Sequence, residues 1–541
     1  MYKERYAEWL TFDEETKAEL LAIVDEKELE DRFYKNVSFG TGGLRGLMGA
    51  GTNRMNSYTV KKASMGLANY VLAQGSVQPR IAIAYDTRNG SQLFAEDAAA
   101  VFSSMGIKAY LFDVAMPTPV LSFTVRHLGC DAGIVVTASH NPKEYNGYKV
   151  YDNQGGQLTP DAAREVTRFI EQIEDFNSVK ELTGNPELVE MIGEDVLNAF
   201  IAEIKKQSIH QGELQVVYTP LHGAGNIPVR RALEGFELSV VKEQELPDGD
   251  FSTVRSPNPE DRKALELAIA QAQQEDADIV IGTDPDCDRI GVAVKHEGAF
   301  KLLTGNQIGA LLAEFVIAHT EVTEDSTLIK TIVTNDFGAK IASGKGLQII
   351  ETLTGFKYIG EKTNEFEASD DLTNEFVLGY EESYGYLVGT HARDKDAVVS
   401  ALLICEMAAY YKAKGLTLFD KLEQLYGEHG YYLDALDSVT LTGVAGAARI
   451  KEMMEEVRES DAQFFANVDE VRDYATGIAD LPKENVIKFM LKDESWVAIR
   501  PSGTEPKIKF YYSVKADDEQ SAQEKLAVIK TQIQENLDIA L

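Results

Sequence analysis

The chain has 541 residues, 44% hydrophobic and 26% charged, proportions of a globular protein with more residues than one core can hold. Lys and Arg number 53 against 87 Asp and Glu, a net charge of −34 that excludes general nucleic-acid binding, which needs a basic footprint. The most apolar helix-like stretch, VVSALLICEMAAYY, carries Glu406 and is too short to span a bilayer, so no membrane partner is expected.

The first residues, MYKERYAEWLTFDEE, are charged and lack the apolar centre of a signal peptide. Cys130, Cys287 and Cys405 follow neither a disulfide nor a zinc spacing, and a reducing cytoplasm is the expected location. SFGTGGLRG, residues 38–46, is a glycine-rich loop with Arg45 whose spacing is neither a Walker A nor a dinucleotide fingerprint. Residues 80–112 read strand, polar loop, amphipathic helix closed by Gly106, strand. AGIVV then reads as a buried strand running into TASHNP. Asn141-Pro142 marks a turn, so Ser139 is expected on a tight loop at the strand's end, with Lys149 ten residues on. His140, a sequence neighbour, is expected to point away from Ser139.

The strand–helix–strand order recurs at 214–241, with Gly235 at the helix end, and at 326–350, with Gly344 and Gly346 in that place. Such units imply parallel pairing through right-handed crossovers. Near the end, WVAIRPSGTEPKIKFYYSV reads as two strands around a loop, followed by a helix from about 517. The predicted fold class is α/β: three similar α/β domains with mixed or parallel sheets at 1–207, 208–322 and 323–430, plus a smaller α+β domain at 431–541, around a central cleft.

Four loops follow predicted strands, where α/β sheets gather ligand groups. In GTDPDCDR, residues 282–289, Asp284, Asp286 and Asp288 alternate; in extended chain they point the same way and repel unless a cation joins them. Oxygen ligands favour magnesium, manganese or calcium over zinc. An EF-hand is excluded, since its glycine and glutamate positions hold Arg289 and Lys295. A solvated acidic turn would carry the same letters. RPSGTEP, residues 500–506, offers Arg500, the hydroxyls of Ser502 and Thr504 and the amide of Gly503 as an oxyanion cradle, or else forms a plain turn. GYEESYGY presents Glu381 and Ser383, a carboxylate and a hydroxyl suited to a polyol. HARDKD, residues 391–396, adds Arg393 and Lys395. A serine hydroxyl is a weak nucleophile without help, so Ser139 is either a turn-capping group or is assisted by the cation of the aspartate loop.

TASHNP, GTDPDCDR, EES and RPSGTEP, in this order, resemble the α-D-phosphohexomutase family, in particular its branch of bacterial phosphoglucomutases and phosphopentomutases. The resemblance implies that Ser139 carries a phosphoryl group and, with Asp284, Asp286 and Asp288, holds one magnesium ion. Arg45 and Arg289 would balance the phosphoserine charge, and His140 would assist. Lys149 and Lys395 match positions for proton transfer, Lys149 being preferred because it lies in the Ser139 loop. Thr354, Glu381 and Ser383 would grip the sugar, and Arg500, Ser502, Gly503 and Thr504 the phosphate that is not reacting. The implied reaction interconverts α-D-glucose 1-phosphate and glucose 6-phosphate through a sugar bisphosphate. Tyr384 and Tyr386 depart from other branches, which leaves mannose or pentose phosphates as alternative substrates. A metal-dependent phosphatase and a non-catalytic sugar-phosphate sensor are the rival classes. Sugar phosphates are the expected partners, with the chain a monomer or a small homo-oligomer.

Overall fold

The computed structural model describes residues 2–40, 42–180, 182–369, 374–441, 443–502 and 507–541. The strands fall into four sheets, strung along the chain in order. The first contains β1 (Leu44–Leu47), β2 (Arg80–Tyr85), β3 (Lys108–Phe112), β4 (Ala132–Val136), β5 (Tyr145–Tyr151) and β6 (Val189–Ile192), in the order β1-β5-β4-β2-β3-β6. β2 pairs in parallel with β3 and β4, whereas β5 runs antiparallel to both β4 and β1.

The sequence pattern explains this core. In the helix Ser91–Ser104, Phe94, Ala95, Ala98 and Phe102 recur at helical spacing and bury against Ile81, Ile83 and Ile134 of the sheet. Gly106 then takes φ +81° and turns the chain into β3.

The second sheet repeats the plan. It contains β7 (Gln215–Thr219), β8 (Glu237–Val240), β9 (Ile279–Thr283), β10 (Ile290–His296) and β11 (Ala299–Leu302), in the order β11-β10-β9-β7-β8. β7 is parallel to β8 and β9, and β10 is antiparallel to β9. The third contains β12 (Ser326–Thr331), β13 (Gln348–Thr352), β14 (Glu375–Glu381) and β15 (Gly385–Val388), in the order β13-β12-β14-β15, with β12 and β13 parallel. The three predicted strand–helix–strand units are thus parallel pairs. The sheets, however, are mixed, and this matters for function. β4 and β9 each have a parallel neighbour on one side and an antiparallel one on the other. The segment after each is a reversal into the antiparallel partner, and those two segments carry TASHNP and GTDPDCDR. Residues 382–384, in GYEESYGY, make the corresponding link from β14 to β15.

The last sheet is antiparallel: β16 (Tyr431–Thr440), β17 (Val468–Asp473), β18 (Ile487–Leu491), β19 (Trp496–Pro501) and β20 (Lys507–Ala516), in the order β16-β20-β19-β18-β17. Helices Gly443–Ser460 and Glu519–Leu537 contribute Ile450, Met453, Val457, Ile529 and Ile533 to its core. The sequence pattern predicts only β19, β20 and the final helix of this domain. β16 is an edge strand with half-exposed positions and two aspartates, Asp434 and Asp437, so its letters lack a clean period-two pattern.

By contact the chain divides into two compact units: 1–303 with 356–378 and 383–415, and 304–355 with 379–382 and 416–541. Among the described residues, no helix is long and apolar enough to cross a membrane.

Candidate active site

Ser139 stands three residues past the end of β4, 4% exposed, with φ +52°. That left-handed conformation costs a non-glycine residue about 1–2 kcal/mol. Here it turns the hydroxyl to donate to Asp284 Oδ2 at 2.6 Å. It also brings the hydroxyl to 3.3 Å from His140 Nδ1, so the expectation that His140 points away is corrected. Sequence neighbours usually diverge, but a left-handed residue bends the chain enough for both side chains to share one side.

The aspartates converge, though not for the predicted reason. The loop after β9 is a turn, not extended chain: the Cys287 N–H donates to the Asp284 carbonyl at 2.9 Å, and Cys287 has φ +53°. Asp284 Oδ1 accepts the N–H groups of Asp288 (3.1 Å) and Arg289 (3.0 Å), winding the loop around its own first carboxylate. Thr118, at the start of the helix Thr118–His127, donates its hydroxyl to Asp286 Oδ2 and its N–H to the Asp286 carbonyl, each at 2.8 Å. One oxygen from each of the three carboxylates then lies within 4.8 Å of the others, all buried. Asp286 Oδ1 and Asp288 Oδ1 are buried with no hydrogen-bond partner among the described residues. Three converging carboxylates with unsatisfied oxygens fit a hard divalent cation.

Lys149 comes from β5, opposite Val135 of β4, and donates to Asp286 Oδ2 at 2.6 Å and Asp288 Oδ2 at 3.0 Å. Lys395, between β15 and the helix Ala397–Lys412, reaches Asp288 at 3.3 Å and Asp394 at 3.0 Å. Arg289 donates to Glu260 at 2.8 Å and to the Ser383 carbonyl at 2.9 Å. Arg45, on β1, is exposed and donates to Asn141 Oδ1 at 3.1 Å. Gly43 lets β1 come this close to β5. It has φ +106°, and a Cβ there would lie 1.9 Å from the Tyr148 carbonyl oxygen.

The charges are set by burial and by each other. Burial, and then the neighbouring Asp286 and Asp288, push Asp284 well above the ordinary carboxylate range. Burial also raises Asp288, but Lys149, Lys395 and Arg289 outweigh it and hold that carboxyl far below the ordinary range. Burial draws the Lys149 ammonium down, yet Asp286, Asp288 and Asp394 together hold it above the usual lysine value. His140 keeps 27% of its side-chain surface but is lowered well below an ordinary histidine, first by burial and then by Arg289 and Arg45, so it is neutral at neutral pH.

These residues, with Ser383, lie in the first unit. The second holds the other predicted positions. Thr354 has a buried hydroxyl without a hydrogen-bond partner among the described residues. Glu381 ends β14 and is buried. Arg500, on β19, lies 3.2 Å from Glu484, and the Ser502 N–H donates to the Lys507 carbonyl at 2.7 Å. Gly503 and Thr504 lie outside the described residues.

Several residues escaped the sequence reading. Asp394 accepts from Lys395, from Tyr151 at 2.7 Å and from Gln157 at 3.1 Å, and so anchors the lysine loop. Asp86 and Arg88, in the DTR triplet after β2, hold the Ser139 loop from behind. Their signal was positional: a polar triplet at the carboxyl end of a buried parallel strand.

Four family profiles match in chain order. They are Phosphoglucomutase/phosphomannomutase alpha/beta/alpha domain I at residues 36–177, domain II at 196–298, domain III at 304–428 and the C-terminal domain at 448–531. A phosphoglucomutase of Staphylococcus haemolyticus is 39% identical over 512 residues, covering 90% of this chain and 92% of the relative. One of Staphylococcus epidermidis is 38% identical over 531 residues, covering 92% and 96%. Among solved structures, the Paramecium phosphoglucomutase pp63/parafusin in its open form aligns with a TM-score of 0.73 at 17% identity, over 93% of this chain and 96% of that one. A phosphoglucomutase/phosphomannomutase family protein of Burkholderia thailandensis aligns at 0.71 and 19% identity, over 93% and 98%. Both speak for a shared fold.

Proposed function

This chain belongs to the phosphoglucomutase/phosphomannomutase family and is a sugar-phosphate mutase, an isomerase; from that premise we propose that it interconverts α-D-glucose 1-phosphate and glucose 6-phosphate with Ser139 as the phosphoryl carrier. The observation that carries this reading is the Ser139 hydroxyl, held 2.6 Å from Asp284 in a buried site with two further aspartates and two lysines.

In the first half-reaction the Oγ–P bond of phosphorylated Ser139 breaks and a bond forms from that phosphorus to the free hydroxyl of the bound sugar monophosphate. The hydroxyl proton passes to Lys149 or Lys395 as that ammonium hands one of its own protons to an aspartate it already pairs with, Asp286 or Asp288 for Lys149 and Asp288 or Asp394 for Lys395. The bisphosphorylated sugar turns end for end and returns its other phosphoryl group to Ser139 by the reverse steps. Such transfer needs positioning and charge stabilisation more than covalent help. Asp284, Asp286 and Asp288, with Ser139, would hold one magnesium ion, which when bound polarises a phosphoryl oxygen as a Lewis acid. Arg45 and Arg289 offset the charge of the phosphoserine, with neutral His140 beside them. Glu381, Ser383 and Thr354 take the sugar hydroxyls, and Arg500, Ser502, Gly503 and Thr504 the second phosphate. Cys130, Cys287 and Cys405 are free and buried, which fits a reducing cytoplasm.

Incubation with glucose 1,6-bisphosphate and magnesium should add one phosphate-sized mass, located at Ser139. A native sample that stays unphosphorylated while turning over would overturn the carrier. Parallel assays with mannose 1-phosphate and ribose 1-phosphate test the sugar. Arg500→Ala should raise KM for glucose 1-phosphate by roughly tenfold or more, since a bidentate phosphate partner is lost. Magnesium affinity should stay as it was; equal loss of both would count against the cradle.

A further inference from the structure

Both backbone polar groups of Ser139 are tied to one buried ion pair at the end of β2. The Ser139 N–H donates to Thr137 Oγ1 at 2.8 Å, and the Thr137 hydroxyl donates to Asp86 Oδ2 at 2.6 Å. The Ser139 carbonyl accepts from Arg88 Nη2, and Arg88 Nε lies 3.3 Å from the same Asp86 oxygen. Asp86, Thr137, Ser139 and Arg88 thus close a ring around the serine's own peptide groups.

Arg88 gathers the rest of the loop as well. Its Nη2 also donates to the Asn141 carbonyl, and its Nη1 to those of Pro142 (2.9 Å) and Tyr145 (3.2 Å). One guanidinium therefore collects four carbonyls between residues 139 and 145. Arg88 is 3% exposed and lies over the Phe251 ring. Asp86 is fully engaged: its other oxygen accepts the Arg88 N–H at 3.0 Å and the Ser91 hydroxyl at 2.7 Å. Four carbonyl dipoles aimed at one point repel each other, and the left-handed Ser139 is unfavourable by itself. A cation of fixed fork geometry, buried behind the loop, offsets both costs.

We propose that Arg88, with Asp86 and Thr137, is a positioning device for the phosphoryl carrier: it holds Ser139 in the one backbone conformation that turns its hydroxyl to the aspartate cluster, and so it governs phosphoryl transfer rather than sugar binding. The inference rests on Ser139 being the carrier, as proposed above. These residues act through the serine's peptide groups.

The test compares Thr137→Val, Thr137→Ser and Arg88→Lys by kcat, KM for glucose 1-phosphate, melting temperature and phosphate incorporation at Ser139. Valine keeps the shape of threonine but breaks both links of the ring. Thr137→Val should lose roughly 30- to 100-fold in kcat with KM within about threefold, the scale expected when a reacting atom shifts by about 1 Å. Thr137→Ser, which keeps the hydroxyl, should recover most of that loss. Arg88→Lys should lose roughly 100-fold in kcat, because an ammonium cannot span four carbonyls. Native kcat in Thr137→Val, or a Thr137→Ser variant no better than Thr137→Val, would overturn the proposal. If Arg88→Lys does not fold, the Thr137 pair decides alone. A native protein that takes up no phosphate at Ser139 would sink the carrier itself. A native protein that is phosphorylated there, beside a fully active Thr137→Val, would sink only the positioning role.

Discussion

Ser139→Ala yields a folded protein whose turnover of glucose 1-phosphate is at least roughly 10³-fold below that of the native chain, because the atom that forms and breaks the bond to phosphorus is gone. The structural loss is small by comparison. One hydroxyl that donates to Asp284 disappears, a hydrogen bond worth about 1–2 kcal/mol. Alanine keeps the same links to Thr137 and Arg88, since those engage the backbone. Substrate binding should survive, so the fall appears in kcat with KM little changed. Steady-state kinetics and intact mass check this together: the variant should take no phosphate from glucose 1,6-bisphosphate. Turnover within tenfold of native would remove Ser139 from the mechanism.

Asp288→Asn should be nearly as damaging, for a different reason. Asp288 is the carboxylate on which the two lysines meet, Lys149 at 3.0 Å and Lys395 at 3.3 Å, and its other oxygen has no hydrogen-bond partner among the described residues, with Arg289 Nε 3.8 Å away. Asparagine keeps the volume but removes the charge. A three-carboxylate site becomes a two-carboxylate one, and two buried ammonium groups lose their common counter-ion. We expect magnesium or manganese affinity, read by calorimetry, to fall at least roughly 100-fold, and kcat at saturating magnesium at least roughly 10³-fold. Native protein stripped by a chelator should be inactive and should recover on adding magnesium; Asp288→Asn should not recover at the same concentration. Unchanged cation affinity in the variant would show that the aspartates serve only to hold the lysines.

Much of the site was legible because its signals are local. TASHNP, GTDPDCDR and GYEESYGY each follow a short apolar run, and turn-forming residues after such runs mark where a buried strand ends. The parallel units at 80–112, 214–241 and 326–350 were legible because helix spacing and terminal glycines are written within about thirty residues. The C-terminal domain was less so. β19 opens on the apolar run 496–499 and β20 carries Phe510, Tyr511 and Tyr512 at its centre, while β16 is held by ten cross-strand pairs with β20, a partner some 67 to 85 residues away. No window of sequence contains that information.

The residue types of the chemistry were determined by the sequence alone: a serine on a turn, three alternating acids, two lysines and a glycine-rich arm with Arg45. Which of them meet was decided by tertiary structure. The carboxylates converge because a turn wraps around Asp284 and Thr118 grips Asp286, not because the chain is extended. His140 shares the serine's side because Ser139 is left-handed, and Arg88 can hold it so because β2 and β4 are parallel neighbours that end together. Backbone handedness at one residue and contacts across 50 to 170 positions are set by how strands pack, and packing is a property of the whole chain rather than of any stretch of its letters.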